Sequence, residues 1–315
     1  MRYAIPCAFA ALLIGASLTP ARTQETFTPG AQNNPAFCSP LWQAIGLPKY
    51  QDSDRDLTST TVCHTRYVLS HTNPAKIPAW VIERLTAEQV SGNNPRPAKA
   101  FQPDVLLPEN ARATDDDYKG NPFGYDRGHQ APSEDFNQNA DLMKETFLFS
   151  NIVPQEGKGF NQGVWKRLEE LVRKVAVDRK ELYVITGPID PDARGRTLTI
   201  TAAANTCGKA ITLAPLTETA ICGKNKNENC PAGVAVPIAL YKIIYDASLK
   251  RATAYVLPNI DHRPLINKSD LITYIGGFRT TVSIVELFTG IKFFPDLSLR
   301  DRHLQLEQCA PTMLH

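Results

Sequence analysis

The chain has 315 residues, 43% of them hydrophobic and 21% charged, with a formal net charge of +2. That balance can bury a sizeable core, which excludes a wholly disordered or fibrous protein. The small net charge excludes a polycation that grips nucleic acid by bulk charge, so any polyanion must be held by a local cluster of Arg and Lys, within a screening length of roughly 10 Å at 0.1 M salt.

From the amino terminus, residues 1–21 read as a signal peptide. Arg2 supplies positive charge, Ala4 to Leu18 is apolar or small, and small residues around Thr19 to Ala21 suit cleavage. The run is shorter than the roughly 20 apolar residues of a membrane span and contains Pro6, so no membrane attachment is expected once the signal is removed. The expected destination is the periplasm or the extracellular space. Residues 22–36 are polar and rich in Pro, Gly and Asn, which suggests a flexible leader. Residues 37–312 carry no linker composition and no internal repeat, and read as a single domain.

Cys7 leaves with the signal, and the mature chain keeps Cys38, Cys63, Cys207, Cys222, Cys230 and Cys309. Export makes disulfides the default reading, and the absence of any Cys-x-x-Cys pair argues against zinc. Six cysteines allow fifteen pairings, among which sequence does not choose. The working expectation is Cys38 with Cys63, and the other four among themselves.

Strand-like segments rich in β-branched and aromatic residues occur at Val62 to Leu69, Trp80 to Leu85, Glu181 to Thr186, Leu198 to Thr201, Val234 to Tyr245 and Ala252 to Leu257. The clearest helical pattern runs from Asn161 to Val177, with Val164, Leu168, Leu171, Val172 and Val175 on one face. A second, Ser283 to Phe288, opens with a Ser-x-x-Glu capping pattern and is followed by Gly290. Strands and helices do not alternate regularly, so the fold class is α+β. Residues 88 to 124 form a long polar stretch of the kind that usually carries function, and residues 203–231 hold three cysteines and read as a stapled surface excursion.

Two clusters carry chemistry. Tyr125-Asp126-Arg127-Gly128-His129-Gln130 places a carboxylate, a guanidinium and an imidazole within four positions. A neutral histidine can take a proton from water at neutral pH, and a nearby cation can hold phosphate. Alone, the same residues describe a surface turn with Asp126 and Arg127 paired and Gly128 supplying backbone freedom. The second cluster is Ser150-Asn151-Ile152-Val153-Pro154-Gln155, followed by Asn161-Gln162-Gly163-Val164-Trp165-Lys166-Arg167-Leu168-Glu169. In a continuous α-helix, Asn161, Trp165, Glu169 and Arg173 step by four and share one broad face. Magnesium prefers oxygen ligands and keeps several waters, so one amide oxygen at Asn161, with Glu169 binding water of the ion's shell, is a workable site.

In order and spacing these motifs resemble the sugar-non-specific DNA/RNA endonucleases of the ββα-metal fold, with further similar segments from about Leu47 to Asp296. The resemblance implies a central, mostly antiparallel sheet flanked by helices, and hydrolysis of phosphodiester bonds in DNA and RNA held through their phosphates. It implies Mg2+ as cofactor, for which Mn2+ could substitute, and leaves room for a homodimer. Residue by residue, His129 resembles the general base and Asn161 the direct magnesium ligand. Glu169 resembles the carboxylate that orients metal-bound water. Asn151 resembles a support for the histidine and substrate, and Arg127 and Arg173 resemble arginines lining the site. Arg96 resembles the arginine that stabilises charge in the transition state, with Arg84 and Lys99 as the other candidates. Asp126 is either structural or a contact to metal-bound water.

Two departures stand out. Glu134 follows His129 by five residues, where it would repel phosphate or raise the pKa of His129, and the 203–231 excursion lengthens a connection that is often short. The competing readings are a catalytically silent nucleic-acid-binding protein on the same fold, and a phosphodiesterase acting on smaller substrates.

Overall fold

In the computed structural model the β-branched and aromatic runs pair into one seven-stranded sheet. The structure describes residues 34–98, 100–190, 197–201, 205, 207–224, 233–266, 271–307 and 309. The expected signal peptide, most of the leader, Lys99, Cys230 and part of the 203–231 excursion lie outside the described residues.

In chain order the strands that matter here are β1 (Ser59–Cys63), β2 (Tyr67–Thr72), β3 (Ile77–Thr86), β4 (Tyr125–His129), β5 (Ile152–Glu156), β6 (Glu181–Ile189), β7 (Ala239–Asp246), β8 (Arg251–Pro258) and β9 (Arg279–Thr280). The large sheet has the order β9-β8-β7-β6-β3-β2-β1, with every pairing antiparallel. Both faces are covered, so its strands read as nearly continuous apolar runs. Ile82, Ile185 and Ile243 lie side by side on one face, which packs against Cys38, Leu41, Val285, Phe293 and Phe294. Val184, Leu240 and Ile244 face the other way, against Leu168, Leu171, Val172 and Val175 of the helix Lys166–Arg179.

Several sequence expectations need correction. Val62 to Leu69 is two strands, because the chain turns at His64–Arg66, where His64 Nε2 meets Asp104 Oδ2 at 3.0 Å and Thr65 bonds Glu145. Val234 to Tyr245 is broken at Pro237, where the proline nitrogen has no hydrogen to give the ladder. The expected helix from Asn161 is two segments, a wide π-helical stretch Gly157–Trp165, interrupted by non-helical dihedrals at Gly163 (φ −109°, ψ −108°), and the α-helix Lys166–Arg179. The Ser283-x-x-Glu286 box is not used: Ser283 bonds Glu307, while Glu286 pairs with buried Arg302. Gly290 does close that helix in the left-handed conformation at φ 65°.

Cys38 is bonded to Cys63 and Cys207 to Cys309, and Cys222 is also in a disulfide. The excursion is more than a surface feature, since Ile211, Leu213 and Ile221 are buried in the two cores. Among the described residues, no helix is long and apolar enough to cross a membrane.

Candidate active site

The strands β4 and β5 were not expected from periodicity, because Tyr125–His129, read Tyr-Asp-Arg-Gly-His, does not alternate apolar with polar residues. They pair antiparallel outside the main sheet, with Asp126 opposite Gln155 and His129 opposite Ile152. The chain then passes directly into Gly157–Trp165 and the following α-helix, which makes the unit a ββα arrangement. Gly128 is needed for closeness and not for freedom, since a Cβ there would stand 2.1 Å from the Gln155 side chain.

His129 ends β4 over a bed of aromatic rings. Its ring meets Phe147 edge-on at 4.7 Å and Phe101 at 5.7 Å. The side chain is 8% exposed, and Nε2 has no hydrogen-bond partner among the described residues. Burial, reinforced by the positive charge of Arg96, lowers the imidazole pKa to about 3, so the ring is neutral across the physiological range. Glu134, exposed on the turn after His129, does not figure among these influences, and the anticipated upward shift of His129 does not occur.

Arg96 lies over the same ring as His129, its guanidinium carbon 5.0 Å from the Phe147 centroid. The loop that brings it there is stitched down by Asn94, whose backbone and side-chain N–H groups both donate to Asn137 O, at 3.0 and 2.8 Å. Arg84 is on the opposite face of the sheet from the helix Lys166–Arg179, bonded to Glu181.

Asn161 and Asp126 are joined directly. Asn161 Nδ2 donates to Asp126 Oδ2 at 2.9 Å, and Gln162 Nε2 donates to the same oxygen at 2.8 Å. A carboxylate only accepts, so it draws the amide nitrogen of Asn161 toward itself and leaves the carbonyl oxygen free to face elsewhere. Among the described residues, Asp126 pairs with neither Arg127 nor any other cation. Arg127 bonds Asp115 at 2.5 Å and lies over Phe101 and Tyr118, at 5.3 and 5.8 Å.

Glu169, eight residues beyond Asn161, is half-buried, and burial raises its pKa to about 7 against the opposing influence of Lys242, Arg173 and Arg96. Arg173 donates to buried Asp135 at 2.7 Å. Beneath them the sheet contributes Lys242, whose Nζ donates to Thr186 Oγ1 at 2.6 Å and sits 5.1 Å from the Trp165 ring, and Glu83, which burial drives well above the ordinary carboxylate range. Lys242 and Glu83 were not singled out from sequence. The available signal was a charge set within a largely apolar strand, Lys242 in Ala239–Asp246 and Glu83 in Ile77–Thr86.

Asn151 is fully buried and touches the backbone only. Its Oδ1 accepts from Ala131 N–H, and its Nδ2 donates to Ala131 O and Thr146 O, each at 2.9 Å. It thus fixes the chain just after His129.

Among the described residues, no group of three or more His, Cys, Asp or Glu is arranged to hold a metal ion. The donors offered here are instead an amide oxygen and a carboxylate on one helical run. These hard oxygen ligands suit an ion that keeps most of its water.

Residues 50–299 match the family model described as DNA/RNA non-specific endonuclease. The human mitochondrial nuclease EXOG is 30% identical over 251 residues, covering 76% of this chain and 59% of its own length. The nuclease of Syncephalastrum racemosum is 33% identical over 251 residues, covering 78% and 70%. Nuclease C1 of Cunninghamella echinulata var. echinulata is 29% identical over 238 residues, covering 74% and 82%. A chain of the crystal structure of the EndoG/EndoGI complex superposes with a TM-score of 0.63 at 29% identity, covering 85% of this chain and 95% of that one. This chain thus spans less than two thirds of the length of human EXOG.

Proposed function

Because the chain belongs to the DNA/RNA non-specific endonuclease family, we propose that it hydrolyses phosphodiester bonds in DNA and RNA without reading base sequence, with His129 as general base. The observation that carries this reading is the His129 ring itself, neutral, buried, without a partner at Nε2 among the described residues and under the influence of Arg96. A neutral imidazole accepts the proton of an attacking water at that nitrogen. A phosphate seated beside Arg96 offsets part of the charge that depresses the ring, so the base gains strength when substrate is in place. Arg96, exposed and stacked on Phe147, is free to meet charge developing on the phosphate. Arg127 and Arg173 are already committed to Asp115 and Asp135, and serve mainly to hold the site's walls.

When bound, Mg2+, or Mn2+ in its place, would be held at Asn161 Oδ1 with Glu169 gripping water of its shell, and would supply charge neutralisation at the phosphate and the departing oxygen. Asp126 aims that amide. Binding through phosphates implies a steep dependence on salt and little preference among sequences.

Export to the periplasm or beyond is the accompanying proposal, supported by the apolar amino terminus and the disulfides. The amino-terminal sequence of the mature protein, recovered from periplasm and medium, tests it.

The deciding experiment digests plasmid, single-stranded DNA and RNA with Mg2+ and with chelator, using the parent and His129→Ala. All three substrates are expected to be degraded by the parent with Mg2+ only, while His129→Ala binds nucleic acid and does not turn over. Binding without cleavage by the parent would instead indicate a silent binding protein. Cleavage confined to a small aryl phosphodiester would indicate a phosphodiesterase.

A further inference from the structure

The segment that carries Asn161 is poorly suited to hold its own shape. It opens Gly157-Lys158-Gly159, winds as a wide π-helical stretch, and departs from helical dihedrals at Gly163. Glycines cost more chain entropy to order than other residues, and π-helical hydrogen bonding is rarely sustained by a sequence alone. Its position must be imposed from outside.

Two residues impose it. Glu156, the last residue of β5 and the N-cap of the segment, lays its carboxylate across three consecutive backbone N–H groups. Oε1 accepts from Lys158 at 3.2 Å, and Oε2 accepts from Gly159 and Phe160 at 2.7 and 2.8 Å. The next residue is Asn161. The N–H of Glu156 in turn donates to Asn259 Oδ1 at 2.8 Å. Asn259 is buried just beyond the end of β8, and its Nδ2 donates to Pro154 O and Pro237 O at 3.1 and 2.9 Å, tying β5 to two distant parts of the chain. Asp261 closes over the same turn, because a Cβ on Gly159 would stand 2.0 Å from its Oδ1.

We propose that Glu156 is a positioning residue for the metal site: by capping residues 158–160 from an anchor on Asn259, it holds Asn161 where Asp126 can orient its amide, and so sets the affinity for Mg2+. The inference rests on the nuclease reading above. A carboxylate at a helix start meets both the unpaired N–H groups and the positive end of the dipole, and its charge-assisted bonds are the stronger kind. Without it the segment samples other conformations, and the ion's apparent affinity falls by the fraction of time the binding-competent one is populated. Saturating Mg2+ restores that conformation, so the maximal rate is spared.

The test compares the parent with Glu156→Ala and Glu156→Gln, measuring digestion rate against Mg2+ concentration and, without substrate, the rise in Tm that Mg2+ produces. Glu156→Ala is expected to raise the half-saturating Mg2+ about tenfold, in the range of outer-shell substitutions, to leave kcat at saturating Mg2+ within about twofold of the parent, and to shift the Tm response by the same factor in concentration. Glu156→Gln keeps one accepting oxygen and is expected to raise it about threefold. Should Glu156→Ala not fold, the Gln variant decides by the same readouts. Half-saturation equal to the parent's in either folded variant, or a loss of kcat that saturating Mg2+ does not repair, overturns the proposal. Failure of the nuclease reading itself would appear in the parent, as digestion and Tm indifferent to Mg2+.

Discussion

The carboxylate of Asp126 accepts from Asn161 Nδ2 at 2.9 Å, so an acidic residue of the first sequence cluster dictates which end of the amide in the second is free. Under the proposed reading this link divides the labour, one strand residue aiming the amide and one helix residue offering its oxygen to the ion. Asp126→Ala frees the amide to rotate and is expected to raise the Mg2+ requirement and lower activity, together by about 10- to 100-fold. Asp126→Asn keeps an accepting oxygen and should lose much less. Initial rates over a Mg2+ series check both, and equal losses in the two variants would contradict the aiming role.

Arg96 and Arg84 make a matched pair of controls. Arg96 shares the Phe147 ring with His129, whereas Arg84 is bonded to Glu181 on the other face of the sheet. Removal of a preorganised charge-stabilising donor typically lowers kcat by about 10²- to 10³-fold, and that is the expectation for Arg96→Ala, with Tm nearly unchanged because the side chain is exposed. Arg84→Ala should leave kcat unchanged. The reverse order would reassign the transition-state arginine.

Glu169 predicts a pH signature in the metal-free protein. Its folded pKa is raised from 4.5 to about 7, so the folded chain binds this proton more tightly than the unfolded one. The contribution to stability is fully present below about pH 4.5 and is lost as pH rises through 7. His129 works in the opposite sense: its pKa is lowered from 6.5 to about 3, and stability is lost as pH falls across that interval. Glu169→Gln removes only the first effect. In chelator, the Tm of Glu169→Gln relative to the parent is therefore expected to climb between about pH 5 and 7 and then level off. A flat difference would show that the carboxylate is not held in the environment described.

The charges under the helix Lys166–Arg179 are unequal partners. Lys242 faces Glu83, Asp135 and Glu169, while Glu83 is driven toward its neutral form by burial and leaves Oε2 without a hydrogen-bond partner among the described residues. Lys242→Met strands buried carboxylates and is expected to cost about 3 kcal/mol, the lower end of the usual penalty for breaking a buried ion pair. Glu83→Gln removes a charge that burial already disfavours and should cost under about 1 kcal/mol. Urea unfolding of each variant at pH 7 checks the asymmetry. A Glu83 variant as unstable as the Lys242 variant would mean that Glu83 is ionised.

What could be read from residue order was the family, the candidate site residues and the regular runs. His129, Asn161 and Glu169 could be put forward as candidates because motifs are short and their side chains declare their chemistry, and strands such as Glu181–Ile189 were legible because burial on both faces leaves a largely apolar run. The Cys38–Cys63 bond was expected and is present, its two members 25 residues apart. The hairpin β4–β5 was hidden because its strands carry charge and glycine where a core strand carries apolar residues. Other features were decided only in three dimensions: the partnership of Arg127 with Asp115, the stacking of Arg96 on Phe147, the cap that Glu156 and Asn259 place on Gly157–Trp165, and the buried meeting of Lys242 with Glu83. Each joins groups whose approach depends on how separate elements pack. A contact between residues far apart along the chain leaves no periodic trace in the residues that make it.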